Sequence, residues 1–453
     1  MRSKLSDLPI TRAGAPSGAA LLLAAFVAGQ QPPPHLQAPP AASQDFLRTM
    51  TGLAAKRPEI DRTARSALEL RFDLSVRTHP TARMSGGGSV AMGPTARLSP
   101  GVTWATLAAM TPAEMRERGV FPYAPIVHPL LVHGGGGMVF PEAQLKTHPE
   151  LQRVDVGFDI PAGFLPEFPP PLFLTTHVEL GDVSKGQEIT LDNFFPLLSG
   201  VLTSFQLEGL RLLVTPFPQQ QFNQTEDRAT WHASTGVGCF SCHVNGHTTG
   251  QFHLVPDVQP HLDRPRIETT TLRGVFTQRT FGSKRNLRSI EDFTEVENNT
   301  AYFDGSLIDA ERKGARHFTR RELAAMAAFQ NIIDLPPAPK LLPTGELDAA
   351  LATPQELRGE QVFMGRGKCS ICHPGPYFTD NLSHDLKVER FHPGRPEGLF
   401  KTFPLRGIKD SPPYLHDGRL LTLEDAVEFF DLVLGLRLAD ADKQDLVAYL
   451  RVL

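Results

Sequence analysis

The sequence predicts a mainly α-helical fold in which two tandem copies of one helical unit follow a long irregular N-terminal segment. Three observations support this fold class: an internal duplication in the C-terminal half, helix-start signals at matching places in both copies, and stretches rich in glycine and proline before them. A chain of 453 residues also exceeds the length of one average domain. The expected divisions are 1–43, 44–195, 196–340 and 341–453.

The first division resembles an export signal followed by a linker. Three basic residues within the first twelve precede an apolar stretch from Ala19 to Val27, and small residues follow it. This order is typical of a secretory signal, with a short membrane anchor or a disordered N-terminus as the alternatives. The Pro- and Ala-rich residues 30–44 then predict an extended linker. We therefore expect an exported, periplasmic or otherwise extracytoplasmic protein, with or without an N-terminal anchor.

The charge balance argues against nucleic acid as a partner. Lys and Arg total 45, Asp and Glu total 49, and the formal net charge is −4. Proteins that bind nucleic acid usually carry a basic excess. No nucleic-acid partner is therefore expected.

Residues 44–195 show only weak amphipathic patterns. They contain glycine- and proline-rich stretches, such as 133–137 and 166–171. Compact domains rarely contain long segments without their own secondary structure. We interpret this division as an accessory region that wraps around the two units, and not as a third catalytic domain.

Matching texts define the duplication. Thr203 to Gly209 resembles Thr353 to Gly359, and each text carries Gln or Glu three residues after its threonine. This spacing is a capping-box signal for a helix start. Downstream, Leu-Arg-Gly at 272–274 recurs at 405–407, and similar Ser/Thr-x-Glu-Asp texts follow at the same offset. The two copies are therefore expected to fold alike.

Each copy closes with an apolar-periodic segment that predicts a helix. Thr319 is expected to introduce the first closing helix and Asp440 the second. The proline-rich residues 336–339 separate the copies, because consecutive prolines cannot continue a helix.

All four cysteines of the chain fall in two C-x-x-C-H motifs. These are Cys239-Phe240-Ser241-Cys242-His243 and Cys369-Ser370-Ile371-Cys372-His373. The spacing lets two sulfurs bond the two vinyl groups of one haem, with the adjacent histidine as proximal iron ligand. A zinc site or a redox-active cysteine pair would leave the identically placed histidines unexplained. The sequence therefore predicts two covalently bound c-type haems, with His243 and His373 as iron ligands.

Arg273 and Arg406 occupy the same place in the two copies, within the Leu-Arg-Gly text. A guanidinium group matches a carboxylate in a bidentate geometry, so we expect both arginines to pair with haem propionates. A surface salt bridge is the alternative for each.

Three histidines, His247, His253 and His261, lie within eighteen residues of His243. A haem that performs chemistry needs an open or displaceable sixth position and a nearby proton-transfer group, whereas a haem that only carries electrons prefers two strong ligands. We expect His253 first, and His261 second, to be a distal ligand or acid–base group. A solvated or structural histidine is the alternative.

The second copy contains Pro-Pro-Tyr-Leu-His-Asp-Gly-Arg at 412–419, followed by Leu-Glu-Asp-Ala-Val at 423–427. Together with the two haem motifs, this text resembles the bacterial di-haem cytochrome c peroxidase superfamily, which includes the methylamine-utilisation di-haem enzymes. The resemblance covers about residues 203–453 and implies two cytochrome c-like haem domains.

This resemblance implies a periplasmic enzyme that passes electrons from a small donor, a cytochrome c or a cupredoxin-like protein, between the haems to hydrogen peroxide. It places His416 between the second haem and the domain interface. It also implies a calcium ion between the domains and a homodimer.

The chain departs from the superfamily at residues that handle peroxide. Phe430 stands where the second haem usually has its sixth ligand, and Ser283 replaces the tryptophan between the haems. Phe293 and Phe303 stand in place of the usual glutamine and distal glutamate. Because Phe430 cannot bind iron, it favours an open iron and therefore an enzyme. An electron-transfer cytochrome and an oxidase of an organic or protein substrate are the alternatives.

Overall fold

The computed structural model describes residues 46–124, 126, 137–151, 160–219, 234–254, 266–282, 287–299, 318–386, 388–389 and 399–453. The expected export signal or anchor at 1–43 lies outside these residues, as do His261, Ser283 and Phe303. Among the described helices, none combines the length and the apolar character needed to cross a membrane.

The described chain is mainly helical. Its α-helices are α1 (Phe46–Arg71), α2 (Trp104–Ala109), α3 (Pro112–Arg118), α4 (Glu142–Thr147), α5 (Phe194–Leu198), α6 (Ser204–Val214), α7 (Cys239–Cys242), α8 (Ile290–Asn299), α9 (Arg320–Gln330), α10 (Pro354–Met364), α11 (Leu423–Leu434) and α12 (Asp440–Leu450). The predicted fold class is confirmed.

The strands are short and pair in antiparallel fashion. They are β1 (Arg77–Arg83), β2 (Ser89–Met92), β3 (Gly137–Val139), β4 (Phe217–Gln219), β5 (Ser234–Val237), β6 (Phe252–Leu254), β7 (Ile267–Glu268), β8 (Ser383–Asp385) and β9 (Leu399–Lys401). β1 pairs with β2, β4 with β5 and β8 with β9, while β6 lies between β3 and β7. In the three-stranded sheet, β3 of the accessory region is thus bonded to β6 of the first unit.

The two copies share one helix-packing device. α6 packs against α9 in the first unit, and α10 packs against α12 in the second. A Cβ atom on Gly209 would lie 1.9 Å from the Ala325 carbonyl oxygen, and one on Gly359 would lie 2.0 Å from the Asp445 carbonyl oxygen. Only glycine permits this approach of the two backbones. The matched glycines therefore confirm that the repeated texts fold alike.

The predicted helix starts are confirmed at three threonines. Thr203, Thr353 and Thr319 each accept the backbone N–H three residues later, and the Gln or Glu at that position reaches back to the cap. The last helix differs slightly from the expectation, because Asp440 is its first residue and Ala439 is the N-cap without a side-chain hydrogen bond.

The Leu-Arg-Gly loops also match. Gly274 and Gly407 both adopt φ of +72°, a left-handed conformation that favours glycine. Their backbone N–H groups donate to the Ile333 and Leu453 carbonyls, at 3.0 and 3.1 Å, just after the closing helices. Each loop is therefore tied to the end of its own unit in the same way.

The accessory region contributes to the cores of both units. Leu107 and Phe121 are buried in the core of the second unit, whereas Met138 and Leu151 are buried together with Cys242 of the first. A further cluster joins α1 to Phe252 and to Leu421. This packing supports the interpretation of the region as a wrap around the haem-motif units.

We predict that Gly359→Ala destabilises the protein, because the added methyl group collides with the Asp445 carbonyl and forces α10 away from α12. Overpacking of this kind costs about 1–3 kcal/mol. Urea unfolding measures the change in the free energy of unfolding. Gly200→Ala is the matched control, since a Cβ atom there meets nothing within 4 Å. Equal stabilities of the two variants would contradict the proposed helix contact.

Candidate haem sites

The first C-x-x-C-H motif forms a single helical turn, α7, held from the accessory region. Gln144 Nε2 donates to the Ser241 carbonyl at 2.5 Å, and Gln251 Nε2 donates to the Cys242 carbonyl. Thr249 links the two amides by donating to both side-chain oxygens. Gln144, Thr249 and Gln251 are buried, so these hydrogen bonds hold the backbone of the motif in place away from solvent.

The second motif begins with a 3₁₀ turn, Cys369–Ile371, after Lys368 in the left-handed conformation. His373 Nδ1 lies 2.8 Å from the Phe378 carbonyl oxygen. A carbonyl oxygen only accepts, so Nδ1 carries the proton in this bond. This contact orients the ring and suits Nε2 to a metal, as a second partner does for most metal-bound histidines.

The cysteines do not form a zinc or disulfide site. All four are free. Cys239 packs on the core of the first unit and Cys369 on that of the second, so the two pairs do not converge. Burial raises the pKa of both thiols to about 12. Separate cores for the two cysteine pairs fit one haem at each motif better than they fit a zinc site shared by all four sulfurs.

Among the described residues, one group of three side chains has its potential metal-binding atoms close together. It consists of Cys372, Asp380 and His384, and lies wholly within the second unit. His384 Nε2 is 2.6 Å from Asp380 Oδ2. Cys372 also belongs to the second haem motif, and its sulfur can serve only one of the two groups.

His243 and His253 present neutral imidazoles close to each other. Burial lowers the pKa of each ring to about 4, and the proximity of His243 contributes to the shift at His253. The Nδ1 atom of each ring is buried and has no hydrogen-bond partner among the described residues. Neutral imidazole is the form that binds metals. Both rings are therefore in the metal-binding form, and the proximal role of His243 and the distal role of His253 stay predictions.

Each of these rings is held through its surroundings. His253 lies on β6, and its Nε2 is 2.8 Å from the Thr269 hydroxyl oxygen. The backbone of Thr270 hydrogen-bonds the ring of His243. Met138 on β3 lies opposite His253, and its sulfur is 2.9 Å from Cys242 Sγ. The accessory region therefore reaches the first haem motif directly.

His247 links the two units. Its Nδ1 is 2.8 Å from the Thr271 hydroxyl oxygen, and its Nε2 donates to the Asp410 carbonyl at 3.0 Å. Both ring nitrogens are engaged and the residue is buried. Of the three histidines after the first motif, His247 is structural, His253 has a buried unpartnered nitrogen, and His261 lies outside the described residues.

The two matched arginines bind protein groups. Arg273 is buried, with Nη1 3.3 Å from Asp410 Oδ2 and Nη2 donating to the Pro171 carbonyl at 2.6 Å. Arg406 donates to the Leu453 and Pro336 carbonyls at 3.0 and 3.1 Å. These contacts differ from the expected pairing with propionates, because both guanidinium groups satisfy carbonyls at chain turns beside the Leu-Arg-Gly loops. The propionate pairing stays a prediction.

His416 lies at the boundary between the units. Its carbonyl accepts from the Glu268 backbone N–H at 2.8 Å, and Arg266 Nε donates to the Asp417 carbonyl at 3.0 Å. The His416 ring stacks on Phe400 with centroids 4.5 Å apart, and its Nε2 is 3.2 Å from Glu389 Oε1. Strand β7 of the first unit is thus bonded directly to the His-Asp-Gly text of the second.

Residues 266–271 form a segment that touches both sites, which sequence reasoning did not single out. The segment supplies Thr269 to His253, Thr270 to His243 and the Glu268 N–H to His416. Its one sequence signal is the run of three threonines just before the Leu-Arg-Gly text.

Phe430 lies on α11, where its ring packs edge-on against that of Phe429 with centroids 5.3 Å apart. Its side chain has no atom that can bind iron.

No family model matches the chain. The chain is 28% identical over 187 residues to methylamine utilization protein MauG of Methylorubrum extorquens, covering 36% of this chain and 51% of that protein. It is 27% identical over 255 residues to cytochrome c551 peroxidase of Pseudomonas aeruginosa, covering 48% of this chain and 72% of that protein. The predicted resemblance to the bacterial di-haem cytochrome c peroxidase superfamily is confirmed.

The chain spans about half the length of the MauG relative that it matches. Among solved structures, a MauG-like protein associated with microbial copper homeostasis has a TM-score of 0.39 and 19% identity to this chain. The match covers 56% of this chain and 90% of that chain.

Glu268 is a buried carboxyl group at the boundary between the units. Burial raises its pKa well above the ordinary value, Arg266 opposes the shift, and Asp417 adds to it. At a pH below the ordinary pKa of glutamate, the Glu268 carboxyl group is protonated in both the folded and the unfolded chain. As the pH rises above about 4.3, the unfolded chain ionises first, so stability is lost until the folded pKa is passed.

We predict that Glu268→Gln removes this pH-dependent loss of stability, because an amide mimics the protonated carboxyl group and does not ionise. The free energy of unfolding, measured in urea from acidic to neutral pH, should fall less with pH than in the wild type. Glu117→Gln, at an exposed position, serves as the control and should keep the wild-type slope. A wild-type slope in the Glu268 variant would show that this carboxyl group is ionised in the folded protein.

Proposed function

We propose that this protein is an exported di-haem c-type oxidoreductase that reduces hydrogen peroxide with electrons from a small donor protein. One observation carries the proposal: two C-x-x-C-H turns each pack against the core of their own helical unit, and a carbonyl oxygen orients the His373 ring through Nδ1. The similarity to a protein named cytochrome c551 peroxidase supports peroxide as the substrate.

The residues of each motif would hold one haem. Cys239 and Cys242 would bond the first haem and Cys369 and Cys372 the second, with His243 and His373 as proximal ligands. Bound haem supplies one-electron transfer and the iron at which peroxide is reduced. The protein sets the orientation of the ligands, the access of water and the reduction potentials.

His253 is suited to move the proton of a bound peroxide. Its buried Nδ1 has no partner among the described residues and so is available to hydrogen-bond a substrate. The Thr269 hydroxyl at Nε2 holds the ring in place. An acid–base group near an open iron promotes cleavage of the oxygen–oxygen bond. These contacts support the first unit as the site of the reaction.

The resemblance supports the remaining parts of the proposal. A cytochrome c or cupredoxin-like donor, periplasmic export, a calcium ion between the units and a homodimer are proposed on that basis. Two other functions, pure electron transfer and oxidation of an organic or protein substrate, are distinguished from peroxide reduction by the experiments that follow.

We predict that mass spectrometry of the exported chain shows two haem additions. Replacing both Cys369 and Cys372 by alanine should remove one haem and leave the other, because each motif has its own core. The matched variant with Cys239 and Cys242 replaced should lose the other haem. A chain that carries no haem after expression with a competent maturation system would end the proposal.

We predict that low-temperature EPR of the ferric protein shows a high-spin signal that changes when hydrogen peroxide is added. His253→Ala should keep both haems and slow the reaction with peroxide by about 10²-fold or more, the usual contribution of an acid–base group. His177→Ala, a partly exposed histidine paired with Glu179, is the control and should react like the wild type.

Two low-spin signals alone, in both the oxidised and the half-reduced protein, would favour an electron-transfer cytochrome. A wild-type reaction rate in the His253 variant would make that histidine structural. Slow turnover of peroxide alone, accelerated by an organic or protein substrate, would favour an oxidase.

A further inference from the structure

Lys401 is a buried cation at the boundary between the two units. Its residue is 6% exposed. Its ammonium group donates to the Gln278 side-chain oxygen and to the Thr280 carbonyl, both in the first unit. The rings of Phe281 and Phe403 flank it, with centroids 5.6 and 5.3 Å from Nζ. The ammonium group therefore lies between neutral acceptors and aromatic faces.

Lys401 has no acidic partner among the described residues, whereas four other buried cations do. Arg273, Arg419, Lys443 and Arg451 each form a salt bridge with Asp or Glu. No carboxylate of the described residues forms one with Lys401, and burial lowers the pKa of its amine to about 8. Buried lysines are almost always paired, because removing an ammonium ion from water is costly. An anion is therefore expected at this position in the assembled protein.

The position of Lys401 points to the second haem. Lys401 is the last residue of β9 and pairs with Ser383 on β8, the strand that follows the second motif. The next residue, Thr402, accepts from the Thr379 hydroxyl at 2.6 Å, and the backbone of Phe403 hydrogen-bonds the ring of His373. Lys401 thus lies two residues from a direct contact of the proximal histidine.

Haem carries two propionate carboxylates on its edge, and an ammonium group has three protons to donate. The two protein acceptors of Lys401 leave one of those protons for a further partner. Arg406, the expected propionate partner in this unit, donates to two carbonyls and already feels the negative charge of Asp334. Burial alone shifts the pKa of Lys401, so its ammonium group is the one of the two cations that lacks a compensating negative charge among the described residues.

We propose that Lys401 binds a propionate of the second haem and so joins that haem to the loop 278–281 of the first unit. The assignment rests on the proposed function, since it requires a haem at Cys369, Cys372 and His373. It makes Lys401 a cofactor-binding residue that raises the reduction potential of the second haem, because a nearby cation favours the ferrous state.

The test compares reduction potentials in the mature di-haem protein. In Lys401→Met, spectroelectrochemical titration should show at least a tenfold decrease in the equilibrium constant for reduction of the second haem, which is 59 mV for one electron. The potential of the first haem should stay unchanged. Lys401→Arg should keep the wild-type value, because it keeps the charge. Lys340→Met is the control, since its ammonium already pairs with Glu356 at 2.6 Å.

A second readout separates binding from a structural role. Resonance Raman bands of propionate bending should shift in Lys401→Met and not in Lys340→Met, since only a direct partner changes the carboxylate vibration. Lys401→Gln repeats both measurements with a polar side chain if the methionine variant does not fold. Unchanged potentials and bands in a di-haem variant would overturn the assignment.

A free small anion is the other source of a carboxylate or similar charge at this position. If the second-haem potential of the wild type varies with acetate or chloride, and that of Lys401→Met does not, a free anion occupies the position and the propionate assignment fails. A chain purified without haem would overturn the proposed function together with this assignment, whereas failure of the assignment alone leaves both haems in place.

Discussion

Burial of the two C-x-x-C-H turns in separate helical units is the constraint on which the rest of the structure depends. It places Cys239 against the core of the first unit and Cys369 against the core of the second. A shared site would have brought the four sulfurs together and favoured thiolates and a metal ion. The helix crossings at Gly209 and Gly359 serve this constraint, because close backbone contact builds a compact core in each unit without help from the other.

The boundary between the units is polar and buried. Arg273 bonds to Asp410, His247 donates to the Asp410 carbonyl, and Glu268 donates to the His416 carbonyl. The buried ion pair between Arg273 and Asp410 contributes less to stability than its Coulomb energy suggests, because both charges lose water. The directional geometry of these contacts instead specifies how the two units are placed relative to each other, which under the proposed function would fix the distance between the two haems.

The repeated parts of the fold could be predicted from the sequence, since each depends on local chemistry. Thr203 and Thr353 cap helices through residues three positions away, and Gly274 and Gly407 mark matching loops. Contacts between distant segments could not be predicted in this way. The residues around Gln144 in the sequence do not indicate that its side chain binds the Ser241 carbonyl 97 residues later. The sequence around Lys401 likewise does not indicate that this lysine is buried. The matched positions of Arg273 and Arg406 in the two copies did not predict which protein carbonyls these arginines bind.

The two sites differ in how far they are closed, and under the proposed function this difference has a physical consequence. Around the first motif, the buried side chains of Met138 and Gln144 from the accessory region and of Gln251 cover the turn, and the partly buried His253 lies on the adjacent strand β6. Around the second, Ile371 is 69% exposed and Cys372 is only partly buried. A donor protein must approach a haem edge closely to deliver an electron, whereas reduction of peroxide gains from preorganised groups in a site that excludes bulk water. Under the proposed function, the closed first site therefore suits reduction of peroxide, and the open second site suits transfer of electrons from the donor. The two copies of one helical unit can serve different roles because the accessory region covers the first motif more than the second.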